Sequence, residues 1–277
     1  MIYKTIDLYK EFGVERGDNK AGYLTVYAHE NSHEINESRK YPCMLVMPGG
    51  AYLYVSDREK EPIALRYFAA GYNAYVLNYS VEPSRYPTQL IEAAMAMAYI
   101  RRNAEELHND SAHVAAIGFS AGGHLCGSIS TMYGEKVIFE KTGITAMEAK
   151  PNASVLAYAV VCTEYPQETY FHLCEEKPEI MAKVNIAANV DKNTSPMFIW
   201  CTANDPVVDP GNSLALASAC RKNGVPFDLH IYRDGEHGLS NGDKSVWKDE
   251  HPHSKLADRW LDDTLVWLSE LGFDYVD

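Results

Sequence analysis

Short apolar runs alternate with amphipathic stretches along most of this chain. The runs "CMLVMPG" (43–49), "NAYVLNYS" (73–80), "HVAAIGFS" (113–120), "SVLAYAVV" (154–161), "PMFIWCTA" (196–203) and "FDLHIYR" (227–233) are dense in aliphatic and aromatic residues. Each predicts a strand buried on one or both faces. An earlier strand, "YLTVYAH" (23–29), is set apart by the polar stretch "AHENSHEINESRKYP" (28–42), which reads as a surface loop. Helical spacing appears in "EPIALRYFAAG" (61–71), "TQLIEAAMAMAYIRRNAEEL" (88–107), "SAGGHLCGSISTMYG" (120–134), "GNSLALASACRKNG" (211–224) and "SKLADRWLDDTLVWLSELG" (254–272). In the second of these, Leu90, Ala94, Met97 and Ile100 share a face, while Arg101, Arg102, Glu105 and Glu106 crowd the solvent end. Gly71, Gly224 and Gly272 each follow a helical pattern, where a left-handed terminal residue belongs.

Alternation of this kind predicts an α/β fold with a mostly parallel central sheet and helices on both faces. Ligands of such sheets bind beyond the carboxyl ends of the strands, so the strand-to-helix junctions are the places to search. Residues 162–195 break the rhythm with mixed polar and aromatic residues and read as a short cap insertion leaning over that edge. The 277 residues, 46% of them hydrophobic, suit one globular unit spanning 1–277. A balance of 25 basic against 38 acidic residues gives net charge -13, which repels phosphate backbones and anionic lipid and argues against a nucleic-acid or membrane partner. The charged start "MIYKTIDLYKEFG" carries no leader-like apolar region, and no later stretch is long enough to span a bilayer, so the expected location is cytoplasmic. Six scattered cysteines without a Cys-x-x-Cys pair read as reduced core thiols, with no metal site expected.

Three junctions carry reactive residues. In "AAIGFSAGGHLCG" (115–127) an apolar strand runs into Gly-x-Ser-x-Gly and then a helix, which displays Ser120 on a tight turn between Gly118 and Gly122. A serine hydroxyl needs a base, and histidine ordinarily titrates near neutrality. Of ten histidines, only His237 in "YRDGEHGLS" follows the last strand on a glycine-flanked loop. His29, His33, His108, His113, His251 and His253 read as solvated, His124 and His230 as packing or pocket-lining, and His172 as part of the insertion. A carboxylate must fix the tautomer of the base. "FIWCTANDPVVDPGNS" offers Asp205, nearer the strand end and preferred, and Asp209, more like a turn or capping aspartate. The oxyanion formed on attack needs backbone donors. "LVMPGGAYLYV" supplies a loop in which Gly50 and Ala51, with Ala121 after the serine, are the expected donors. Tyr52, Tyr79 and His124 are the expected substrate-pocket residues, with Tyr54, Arg85 and Tyr86 also near the mouth.

"MPGGAY", "GFSAGGHL", "TANDPVVDPGNS" and "DGEHGLS", in that order from about residue 41 to 271, resemble the α/β-hydrolase superfamily. Within it, the resemblance is to acetyl esterases and acetyl-xylan-esterase-like carboxylesterases related to hormone-sensitive lipase. It implies an α/β-hydrolase fold, the order Ser120, Asp205, His237, and a serine carboxylesterase without metal or organic cofactor. The implied partner is a small-molecule ester with a short acyl group such as acetyl, on a carbohydrate or other alcohol. The chain departs from the His-Gly-Gly-Gly loop of lipase-like members, carrying Pro48 and Ala51 at the first and last of those positions. Two rival readings are a peptidase of the prolyl-oligopeptidase type and a catalytically silent hydrolase fold that binds a ligand. The oligomeric state is not readable from the pattern.

Overall fold

The computed structural model of the chain describes residues 1–165, 167–247 and 253–277; His251 lies outside them. Among the described residues eight strands form a single sheet: β1 (Ile2–Asp7), β2 (Tyr23–Ala28), β3 (Tyr41–Met47), β4 (Asn73–Asn78), β5 (Asn109–Phe119), β6 (Ala153–Ala157), β7 (Met197–Thr202) and β8 (Phe227–Tyr232). The spatial order is β1-β2-β4-β3-β5-β6-β7-β8. β2 is antiparallel to both β1 and β4, and every later pairing is parallel. The helices are α1 (Leu8–Phe12), α2 (Glu61–Ala69), α3 (Thr88–Arg102), α4 (Ala121–Met132), α5 (Lys136–Thr142), α6 (Ala146–Ala149), α7 (Glu168–Cys174), α8 (Pro178–Lys183), α9 (Ile186–Asn189), α10 (Gly211–Asn223) and α11 (Trp260–Glu270).

The apolar runs form central strands because both their faces are covered. In β5, Val114 and Ala116 pack with residues of α3 and α4, while Ala115 and Ile117 pack with α2 and α11. Leu156 of β6 and Ile199 of β7 meet Leu216 and Cys220 of α10, and Phe198 and Trp200 face the α11 side. There Trp200 stacks on Trp260 at 5.0 Å.

The pattern did not announce β1, which pairs with β2 from Ile2↔Ala28 to Asp7↔Tyr23. As an edge strand it is only half-buried, and Lys4 and Thr5 hide the alternation. β6 stops at Ala157, four residues before the apolar run ends, because Tyr158 turns to a φ of 37°. His29 is not solvated as expected: its ring is sandwiched between Phe68 at 4.0 Å and Tyr41 at 4.5 Å, and burial holds its pKa below the usual value.

The stretch 162–195 contains α7, α8 and α9 and is tied to the loop after β4. The Tyr86 N–H donates to Leu173 O at 2.9 Å, Arg85 Nη1 to His172 O at 2.9 Å, and His172 Nδ1 lies 2.6 Å from Glu82 Oε2. It is tied to α4 as well, through His124 Nε2 and Val184 O at 2.9 Å. Among the described residues no helix is long and apolar enough to cross a membrane.

Candidate active site

Five neighbouring parallel strands, β3, β5, β6, β7 and β8, end at the same edge of the sheet, and each leads into a residue or loop of the candidate site. β5 delivers Ser120. The residue adopts φ 54° and ψ -118°, a sparsely populated conformation that costs on the order of 1–3 kcal/mol for a residue with a side chain. Its neighbours must therefore be small. A Cβ on Gly122 would lie 2.1 Å from Met47 O, and one on Gly118 would lie 2.1 Å from Gly122 O. The turn is anchored by the Ser120 N–H donating to Ala157 O at 3.0 Å.

β8 leads into the loop that carries His237, and β7 into the loop that carries Asp205. His237 Nε2 lies 2.8 Å from Ser120 Oγ, and His237 Nδ1 lies 2.8 Å from Asp205 Oδ2. An ionised carboxylate only accepts, so the proton sits on Nδ1 and Nε2 is left to accept from the serine hydroxyl. The Asp205 side chain is only 1% exposed, and its other oxygen accepts the N–H groups of Val207 at 2.8 Å and Val208 at 3.0 Å. Those charge-assisted bonds offset its desolvation. Asp209 instead accepts from the Gly211 N–H at 2.7 Å, at the start of α10, and so is turned to a helix start rather than to His237. The two loops are pinned together by Thr202 Oγ1 donating to Gly235 O at 2.7 Å and by the Gly235 N–H donating to Asn204 Oδ1 at 2.9 Å.

β3 supplies the Pro48–Ala51 loop. A Cβ on Gly49 would lie 3.1 Å from Ser120 Cβ, which puts the loop against the serine. Gly50 has φ 126° and a Cβ there would strike Tyr54 O at 2.2 Å; Ala51 and Tyr52 follow with φ 54° and 61°. Alanine thus does enter the left-handed region here. A dense set of bonds holds it: Leu53 and Tyr54 N–H to Gly50 O at 2.9 and 3.1 Å, Ser56 N–H to Gly49 O at 2.9 Å, and Tyr79 OH to Pro48 O at 2.5 Å. The N–H groups of Gly50 and Ala51 donate to no acceptor among the described residues. That of Ala121 opens α4, whose first internal bond is from His124 N–H to Ser120 O at 3.0 Å. The N–H groups of Gly50 and Ala51, on the loop packed against Ser120, and that of Ala121, next to it, thus have no internal acceptor among the described residues.

Tyr52, Tyr79 and His124 do not line the mouth as expected. They are 1%, 0% and 1% exposed, and their polar atoms are bonded internally. Tyr52 OH donates to His124 Nδ1 at 2.9 Å, Tyr79 OH is spent on Pro48 O, and the rings of Tyr52 and Tyr79 meet edge to face at 5.7 Å. These hydroxyls instead hold the β3 loop through internal bonds. Burial holds the pKa of His124 down to about 4, so it is a neutral bridge. Among the large apolar side chains, Leu53 and Tyr54 on the β3 loop, Phe171 on α7 and Val207 beside Asp205 are exposed.

Two residues of the site carry no motif. Glu59, 2% exposed, accepts from the Gly49 N–H at 2.7 Å and from Tyr158 OH at 2.7 Å. Tyr158 packs its ring edge-on against His237 at 5.0 Å. Glu59 falls in the charged run "SDREKEP", which reads as solvated surface, and Tyr158 is hidden inside an apolar run. Among the described residues no cluster of three or more His, Cys, Asp and Glu is disposed to hold a metal ion, and all six cysteines are buried and unpaired.

The BD-FAE family model matches residues 32–220, a span that includes Ser120 and Asp205 and ends before His237. Among curated proteins, endo-1,4-beta-xylanase B of Butyrivibrio fibrisolvens is 32% identical over 213 residues, covering 74% of this chain and 33% of that protein. Acetylxylan esterase of Xylanibacter ruminicola is 26% identical over 237 residues, covering 81% of this chain and 45% of that protein. The chain thus spans between a third and a half of the length of these relatives. Among solved structures, the acetyl ester-xyloside bifunctional hydrolase of Caldicellulosiruptor lactoaceticus superposes with a TM-score of 0.79 at 30% identity, over 91% of this chain and 88% of that one. With two thirds of its length matched by the family model and its sheet shared with such a neighbour, the chain belongs to the BD-FAE family and has the α/β-hydrolase fold.

Proposed function

We propose that the protein is a serine carboxylic-ester hydrolase that removes short acyl groups, acetyl foremost, from acylated carbohydrates. The observation that carries this reading is the continuous hydrogen-bonded line from Ser120 Oγ through His237 to Asp205. In the proposed reaction His237 Nε2 takes the hydroxyl proton as Ser120 attacks the ester carbonyl. Asp205 stabilises the imidazolium and keeps its orientation. The N–H groups of Gly50, Ala51 and Ala121 receive the oxyanion, a contribution worth on the order of a hundredfold or more in rate per donor. The tetrahedral intermediate collapses, His237 passes its proton to the leaving alcohol, and an acyl-Ser120 ester remains. Water then repeats the sequence, with His237 as base, and releases the carboxylic acid. Every step is served by side chains and backbone of this chain.

The acyl and alcohol classes draw support from the acetylxylan esterase and the acetyl ester-xyloside hydrolase to which the chain is similar. Release of acetate from acetylated xylo-oligosaccharides, measured beside hydrolysis of unsubstituted xylo-oligosaccharides and of an aminoacyl-proline amide, tests the reading. Acetate release alone is expected. Cleavage of the amide at a comparable rate, or of the sugar chain without acetate release, would contradict it.

A further inference from the structure

We propose that Glu59 is a positioning residue of the active site: one buried carboxylate fixes the oxyanion loop and the histidine loop relative to each other. The inference rests on the acyl-transfer reading above. Glu59 sits in a short helical turn at residues 57–59, outside every motif, yet it is buried. One oxygen, Oε2, accepts the Gly49 N–H at 2.7 Å. Gly49 is the residue immediately before the proposed donors Gly50 and Ala51, and a Cβ there would sit 2.9 Å from that oxygen and 3.1 Å from Ser120 Cβ. The carboxylate is therefore packed directly behind the loop that must approach the serine.

The other oxygen, Oε1, accepts from Tyr158 OH at 2.7 Å. Tyr158 is the hinge through which the network reaches the base. Its backbone follows β6 at a φ of 37°, and its ring packs edge-on against His237 at 5.0 Å and against Phe119, the residue before Ser120, at 5.8 Å. Its phenolic oxygen also accepts the N–H of Ser240, three residues beyond His237, at 3.0 Å. Ser240 is held in turn by its hydroxyl donating to Arg58 O at 2.6 Å and by Trp260 Nε1 donating to Ser240 O at 2.9 Å. Burial and the adjacent Glu59 carboxylate push the Tyr158 phenol well above its ordinary pKa, so it stays protonated and keeps donating. Gly49, Glu59, Tyr158 and Ser240 thus form an unbroken chain from the oxyanion loop to the histidine loop. Such a brace matters because a misplacement of about 1 Å between base and donors costs on the order of a hundredfold in rate.

The test compares Glu59→Ala, Glu59→Gln and Tyr158→Phe with wild type and Ser120→Ala on p-nitrophenyl acetate. Turnover is expressed per site that a fluorophosphonate titrates at saturation, so that partial unfolding lowers the titrated fraction and not the turnover per site. Glu59→Ala is expected to lower kcat per titrated site on the order of tenfold to a hundredfold with KM little changed. Glu59→Gln, which keeps an acceptor for the Gly49 N–H, recovers most of that loss. Tyr158→Phe, which removes the hydroxyl's bonds to both Glu59 and Ser240 but leaves Glu59 on the Gly49 N–H, loses less than Glu59→Ala and keeps the proposal testable if the alanine variant does not fold. Wild-type kcat per site in Glu59→Ala, or in Tyr158→Phe where the alanine variant is unfolded, would overturn the inference while Ser120→Ala remained inactive. Activity surviving in Ser120→Ala would instead overturn the acyl-transfer reading on which it rests.

Discussion

At the scale of single residues the site is a set of close approaches between groups far apart in the chain. Asp205→Asn would put an amide opposite His237 Nδ1 and favour the wrong tautomer, so kcat should fall on the order of a thousandfold to ten-thousandfold without loss of folding. Asp209→Asn should leave kcat near that of wild type, because Asp209 bonds to the Gly211 N–H and not to His237. Steady-state kinetics on the two variants separate them, and the reverse ranking would move the carboxylate's role to Asp209. Gly122→Ala drives a methyl to 2.1 Å from a strand carbonyl, and urea denaturation should show a loss of about 3 kcal/mol or more. Ser120, Asp205 and His237 were legible because each is a reactive type at a strand end beside glycine or proline. Glu59 was not, because a buried carboxylate differs from a solvated one only in what surrounds it, and its partner Gly49 N–H is backbone.

At the scale of elements, the alternation of apolar runs and helical spacing revealed seven of the eight strands. The eighth, β1, escaped because half-burial at an edge leaves room for Lys4 and Thr5. The aromatic residues were misjudged for a related reason. A tyrosine after a strand end reads equally well as rim or as brace, and only the hydrogen bonds of Tyr52 and Tyr79 decide for the brace. His124 is the joint between elements: it accepts from Tyr52 on the β3 loop and donates to Val184 in the stretch before α9. Because its folded-state pKa lies near 4 against an ordinary value of 6.5, the unfolded chain binds this proton first as the pH falls. Its contribution to stability is intact above about pH 6.5 and is lost progressively toward pH 4, on the order of 3 kcal/mol in all. His124→Gln should flatten that part of the stability profile measured by urea melts from pH 7 to about pH 4. An unchanged slope would show that other groups set it.

At the scale of the whole molecule, the parallel sheet converts sequence separation into proximity. Residues 49, 59, 120, 158, 205 and 237 come from five strand ends and one helical turn that the strand order β3-β5-β6-β7-β8 gathers along one edge. The helices on both faces keep those strands rigid, so the strained turn at Ser120 and the left-handed Ala51 and Tyr52 are held by the packing around them. The loop after β4 is tied to the 162–195 stretch, and Leu53, Tyr54, Phe171 and Val207 are exposed. On the proposed reading a small acyl group is cleaved in preference to a long acyl chain. The most direct test is kcat/KM for p-nitrophenyl acetate, butyrate, octanoate and decanoate on wild type and Ser120→Ala. The highest value is expected for acetate, with a steep fall with chain length and no activity above background in the variant. A maximum at octanoate or decanoate, or turnover that survives the loss of the Ser120 hydroxyl, would contradict it.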